Sequence, residues 1–201
     1  MPRKEVTPAR ARRAPGPSRA ELEAARAKVG PDVLAEGLDV LFCGINPGLA
    51  SGAAGHHFAN PGTRFWPALH GSGFTPRRLR ADEEDELLAL GLGITNVVDR
   101  TTAQANELTR AEAVEGGRWL RHKVERWRPR WLAVLGVTAF RDAFGDRSAR
   151  VGPQAMEMGD ARVWLLPNPS GRNAHWQLDG LTEEFARLRR AAGLPDRRSA
   201  P

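Results

Sequence analysis

Asn46 and Asn168 occupy the same place in two similar pieces of sequence. The apolar run Val40-Leu41-Phe42-Cys43 breaks into Asn46-Pro47-Gly48, and Val163-Trp164-Leu165-Leu166 breaks into Asn168-Pro169-Ser170-Gly171. In each case the proline restricts the backbone after the asparagine, so the carboxamide projects from a stiff turn. Two rigidly held carboxamides suit recognition of a planar, amide-bearing ligand or the holding of a water molecule. Asn-Pro and Pro-Gly are also ordinary turn-makers, so one such turn says little and the pair says more. Other chemistries fit less well. Gly44–Gly48 lacks the glycine spacing and the Lys-Ser/Thr pair of a phosphate loop, and Pro47 removes a backbone donor. His56-His57 has no third ligand nearby and makes a poor metal site. Phe58, in a polar loop, is either a core anchor or a stacking platform.

The elements that must position these residues follow from periodicity. Continuous apolar runs at Leu38–Gly44, Ile94–Val98, Trp131–Leu135 and Arg162–Leu166 read as strands buried on both faces. Between them, residues 63–70, 82–90, 109–128 and 138–144 read as helices, the third opened by a capping box at Thr109 and Glu112. Leu178, Leu181, Phe185 and Leu188 mark a last amphipathic helix, stopped at Gly193. The alternation predicts an α/β fold: a three-layer α/β/α sandwich around a mainly parallel sheet of about four strands. Residues 45–62, rich in glycine and proline, read as a long connection without structure of its own, the first place to look for a site. In a parallel sheet the ligand crevice lies beyond the carboxyl ends of the strands, where both Asn-Pro turns fall.

Charge and cysteine content narrow the class. Arg3, Lys4, Arg10, Arg12, Arg13 and Arg19 oppose Glu5 alone within residues 1–19, so most of the formal charge of +6 lies in the N-terminal segment. Residues 1–30 are expected to be a basic, largely disordered tail with a short helix opened by a capping box at Ser18 and Glu21. Residues 31–194 form the domain and 195–201 a C-terminal tail. The tail can hold polyanions through counterion release or act only as a solubilising segment. Cys43 is the single cysteine, which excludes an intrachain disulfide or a cysteine-ligated cluster. With no export signal or membrane span in the sequence, a cytoplasmic, nucleoid-associated monomer is expected.

GINPGLASGAAGHHFANPGTRFW, beginning at Gly44, and LLPNPSGR, ending at Arg172, resemble the two signature motifs of the mismatch-specific uracil/thymine-DNA glycosylases. That family includes the bacterial G:U mismatch enzymes and their relative thymine-DNA glycosylase. GITNVVDRTTAQANELT and the Gly-Gly-Arg at 116–118 fall between them in the same order, and the resemblance covers residues 36–190. It implies an enzyme that flips a mismatched or damaged base out of double-stranded DNA and hydrolyses its N-glycosidic bond, on the α/β/α fold already read from periodicity, with no metal or organic cofactor. By the same resemblance Asn46 holds the attacking water and Phe58 stacks on the flipped base. Ser51 lies beside that base, and His57 matches the thymine enzyme, where it would orient a group near the leaving base or serve only the loop. Gly48 falls where strict uracil enzymes carry a bulky side chain that rejects the thymine methyl. Asn168 opens the second motif, with Ser170, Gly171, Arg172 and Asn173 leading into the loop that penetrates the duplex. Arg172 departs from the leucine wedge of the bacterial relatives. The alternative from another class is a module that binds damaged DNA without cutting it; a Rossmann-like nucleotide enzyme would need the phosphate loop that is missing here.

Overall fold

The computed structural model describes residues 16–199. The expected basic tail spans residues 1–30, of which residues 1–15 lie outside the described residues. Five strands form one sheet: β1 (Val40–Gly44), β2 (Leu92–Asn96), β3 (Trp131–Leu135), β4 (Gly152–Met158) and β5 (Ala161–Leu166), in the order β2-β1-β3-β5-β4. All neighbours are parallel except β4 and β5. The four apolar runs became the four parallel strands. The fifth strand, β4, was not legible because GPQAMEM is an edge strand: it starts with Gly-Pro, alternates half-exposed polar residues, and shifts register between Pro153 and Glu157.

Strict alternation along β1 and β3 supplies two cores. Val40, Phe42, Trp131, Ala133 and Leu135 face one side, where Phe65, Trp66, Leu69, Phe74 and Phe185 cover them. Leu41, Cys43, Leu132 and Val134 face the other, under Leu120, Val124 and Phe140. The first layer comes from α3 (Phe65–Gly71), α6 (Leu178–Ala191) and a 3-10 helix at Ala81–Leu90, the second from α4 (Arg110–Trp127) and α5 (Val137–Phe144). The sequence pattern predicts an ordinary helix at 82–90. The 3-10 form eclipses every third residue, which turns Ala81, Glu84, Leu87 and Leu90 inward as one row. Among the described residues no helix is long and apolar enough to cross a membrane.

The first and the last of the described residues are engaged with this body. The helix α1 (Arg19–Ala24) carries the capping box: Ser18 Oγ accepts from the Glu21 N–H at 3.3 Å and the Glu21 carboxylate accepts from the Ser18 N–H at 2.7 Å. Ala25 behind it is fully buried. At the other end the Arg197 N–H donates to the Gly73 carbonyl, and its guanidinium to the carbonyls of Phe74 and Leu90.

The chain leaving β1 passes to β2 on one side of the sheet and returns through α4 to β3 on the other. The carboxyl end of β1 is therefore a topological switch point, where a parallel sheet opens a crevice. One close contact fixes β2 and its exit. Gly116 of α4 lies against the Val97 carbonyl, and a Cβ there would overlap it. Gly116→Ala is expected to destabilise the fold by about 1–3 kcal/mol through overpacking. A lower urea midpoint at unchanged slope would show it; an unchanged midpoint would mean that α4 shifts without cost.

Candidate active site

The glycine-rich connection after β1 is not structureless. Its middle forms α2 (Leu49–Ala54), opened at Gly48 and closed by Gly55 in the left-handed conformation at φ 71°. This short helix joins Asn46 to the 56–58 loop, and both line a cleft of about 1010 Å³. Asn46, Gly48, Ser51, His57, Phe58, Asn168, Ser170, Gly171 and Arg172 all line it. Asn173 does not. Gly136, at φ 127°, separates the two Asn-Pro turns: a Cβ there would stand 3.3 Å from Ile45 Cδ1 and 3.8 Å from Asn168 Cβ. A side chain at Gly136 would strain the backbone and crowd both turns.

The Asn46 carboxamide has its orientation fixed. Its Nδ2 donates to the Pro47 carbonyl (3.2 Å), the Arg100 carbonyl (3.0 Å) and Thr102 Oγ1 (2.8 Å). Thr102 spends its own proton on the Gln104 carbonyl at 2.8 Å, so all three partners can only accept. The nitrogen must point into the protein, and Oδ1, which forms no hydrogen bond to the described residues, is left as an acceptor. Asn168 is fixed in the opposite sense. Its Oδ1 accepts the Ser170 N–H at 2.9 Å, which leaves Nδ2 as the free donor. The two turns thus present complementary ends of the same functional group.

The aromatic wall is built from a strained residue. Phe58 has φ 49°, uncommon for a bulky side chain. Its ring stacks on Phe65 at 4.1 Å between centroids and 18° between planes, and the Trp66 indole N–H donates to its carbonyl at 3.2 Å. Ser51 Oγ accepts the Ala59 N–H at 3.2 Å, so this serine fastens the loop as well as lining the cleft. Behind the wall, buried Glu84 accepts from the His57 N–H (2.8 Å), His57 Nδ1 (3.0 Å) and His56 Nδ1 (3.0 Å). Burial pushes the Glu84 carboxyl up, but the bonds from His57, side chain and backbone, and from His56 outweigh it and hold it below its ordinary value. Because a carboxylate only accepts, His57 Nδ1 carries a proton. His57 Nε2 is buried without a hydrogen-bond partner among the described residues.

The second turn is stapled from outside. The Arg64 guanidinium donates to the carbonyls of Gly171 (3.2 Å), Asn173 (3.0 Å) and Trp176 (2.5 Å), and its N–H to the Pro169 carbonyl at 2.8 Å. Asn173 closes the turn through Nδ2 to the Asn168 carbonyl at 2.9 Å. Gly171 packs backbone to backbone on Gly62, where a Cβ would overlap the Gly62 carbonyl. Arg172 is exposed at the tip. Asn96, Thr102, Arg64 and Glu84 belong to the site or its supports and were not singled out from sequence. Asn96 had a signal: it ends β2 opposite Gly44, a third strand-end asparagine, and its carboxamide lines the cleft. The other three act across long sequence separations and had none.

No aspartate or glutamate is among the described residues lining this cleft. A parallel-sheet crevice with a stacked aromatic wall, an asparagine at three strand ends and no carboxylate among the described lining residues suits a flat, polar ring attached to a polyanion. The family model of the Uracil DNA glycosylase superfamily matches residues 31–191, and the chain belongs to that superfamily. It is a DNA glycosylase, a hydrolase of base excision repair that acts on damaged bases in DNA.

Glu84→Ala leaves the buried His57 N–H without an acceptor and is expected to cost about 1–3 kcal/mol. Since folding lowers the carboxyl's pKa, the unfolded chain takes up the proton first and acid removes this contribution. The difference between the unaltered protein and the variant is therefore full above the ordinary value of 4.5 and shrinks as pH falls through the lower folded value. Urea unfolding across a pH series reads it; a difference that grows in acid would refute the clamp.

Proposed function

We propose that the protein is a monofunctional, mismatch-specific glycosylase that removes uracil from G:U pairs, and thymine or other damaged bases from G-containing mismatches, leaving an abasic site. The observation that carries this reading is the Asn46 carboxamide, locked with Oδ1 free in a cleft without a lining carboxylate. Such a group can orient water by accepting from it, but cannot remove its proton.

The chemistry suits that restriction. Cleavage of an N-glycosidic bond passes through an oxocarbenium-like state, so the C1′–N bond can break first, its electron pair leaving with the base. The water held at Asn46 Oδ1 then forms the new C1′–O bond, and its proton is lost to the departed base or to solvent. Doing without a general base forgoes part of the ~10²–10⁴-fold that base catalysis supplies, which makes for a slow enzyme. Selection begins earlier. Flipping a base costs a few kcal/mol, least at a mismatch. The Phe58 ring, backed by Phe65, would return about 1–3 kcal/mol by stacking. On this reading the Asn168 Nδ2 donor and the Asn96 carboxamide, which both line the cleft, would meet the polar edge of the base. A Cβ at Gly48 would meet no atom of the described residues within 4 Å, and that open space supports admission of a methylated pyrimidine.

Single-turnover cleavage of labelled duplexes carrying G:U, A:U and G:T, with single-stranded uracil alongside, tests the reading. Asn46→Ala is expected to abolish G:U cleavage and leave duplex binding within a few-fold; an unchanged rate would remove Asn46 from the mechanism, and binding without cleavage by the unaltered protein would make this a damage-binding module. Arg172 can donate to an orphaned guanine, stack or grip phosphate. Arg172→Ala should lower the duplex rate about ten-fold or more and spare the single-stranded rate. Equal losses on both would argue against a wedge.

A further inference from the structure

Residues 25–30, just after α1, approach the site from outside the family match, which begins at residue 31. After Ala25 the chain turns through Ala27, a non-glycine residue at φ 61°. It then runs antiparallel to residues 100–101. The Ala27 N–H donates to the Thr101 carbonyl at 3.1 Å, the Thr101 N–H donates to the Lys28 carbonyl at 2.9 Å, and Val29 bridges Arg100. Gly30 then lies on the first turn, where a Cβ would stand 3.4 Å from Pro47 Cγ. Leu22, Gly30 and Pro31 line the cleft. The Arg26 guanidinium pairs with Glu107 at 3.1 Å, tying this segment to the far end of the 100–107 loop.

That loop is the one that orients Asn46. Its Arg100 carbonyl and Thr102 hydroxyl accept from Asn46 Nδ2, and the Thr102 N–H donates to the Pro47 carbonyl at 3.1 Å. Residue 101, between the two acceptors, is held on both its N–H and its C=O by residues 27 and 28. We infer that residues 26–30 are a strap that positions the catalytic carboxamide: by pinning Thr101 they fix the Arg100 and Thr102 acceptors, and through them the direction of Asn46 Oδ1. This assignment rests on the proposed role of Asn46. Strain at Ala27 fits it, because a left-handed alanine persists only where surrounding bonds hold it. Packing alone would not require paired main-chain bonds to the one residue between the two acceptors.

The test is Ala27→Pro in the full chain, which removes the N–H and forbids the left-handed backbone, against Ala27→Gly, which keeps the N–H and eases the strain. In single turnover on a G:U duplex, at a temperature well below unfolding, Ala27→Pro is expected to lose at least ten-fold in maximal rate with duplex affinity within two-fold, and Ala27→Gly to keep the rate of the unaltered protein. A merely structural strap would lower the melting temperature and leave that rate alone. A full rate in Ala27→Pro, with the Thr101 amide shown by hydrogen exchange to be unprotected, overturns the proposal. Should Ala27→Pro not fold, the unaltered protein still decides by NMR under mild heating. The Asn46 side-chain amide protons are expected to lose protection together with the Thr101 N–H, and their persistence after Thr101 has opened overturns the strap. That readout needs no turnover, so an unaltered protein that cuts no G:U duplex would count against the glycosylase reading and leave the strap to be judged separately.

Discussion

A primary carboxamide is nearly symmetric in shape and opposite in function at its two ends, so any site that uses one must first decide which end faces the ligand. Here that decision is made by three acceptors around Asn46 Nδ2, none of which can donate in this arrangement. Turning the group over would set oxygen against oxygen three times in a half-buried site and leave both N–H bonds facing the cleft. Much of the architecture around the switch point serves this constraint. The β1–β2 ladder continues past the strands through the Val97 and Val98 N–H groups to Gly44 and Ile45, the Gly48–Thr102 bridge extends it, and the Arg100 side chain is pinned by Glu112 at the head of α4.

Charge is distributed by the same logic. No carboxylate is among the described residues that line the cleft, and the acids that support it stand one layer back. Glu84 reaches the site only through the two histidines it holds, and Glu112 only through Arg100. Bonds from Arg100 and from the Thr109 backbone and hydroxyl draw the Glu112 carboxyl down to about 2, so it is ionised at neutral pH. Arginine on the cleft side has two different uses. Arg64 is consumed by main-chain carbonyls and shapes the second turn; Arg172 is exposed beyond it and available to a partner.

The elements that carry the fold were legible because each has a local cause. Four strands are apolar runs with nowhere to go but a buried sheet, and the capping boxes at Ser18 and Thr109 mark two helix starts correctly. The edge strand β4 and the short α2 were not, since one is polar on an exposed edge and the other is six residues inside a glycine-rich stretch. The pattern at the site divides the same way. Asn46, Phe58 and Asn168 are visible as odd residues at strand ends or in a polar loop. Their supports are not, because Thr102, Arg64 and Glu84 act across 56, 107 and 27 residues of separation, which no local spacing encodes.

Backbone strain shows where those supports matter. Among the described residues three non-glycines adopt positive φ: Ala27, Phe58 and Arg128. Arg128 closes α4 and answers to helix geometry alone. Of the other two, Phe58 lines the cleft beneath the stacking ring and Ala27 lies beside the loop that orients Asn46, and each is restrained by a main-chain hydrogen bond, from the Trp66 indole to the Phe58 carbonyl and from the Ala27 N–H to the Thr101 carbonyl. Left-handed backbone at such residues costs of order 1–3 kcal/mol each and persists only where the surroundings over-determine it. The fold therefore gives up stability beside the stacked ring and beside the loop that orients Asn46, and recovers it in the sheet and the two apolar layers, where every strand residue of β1, β2 and β3 is buried.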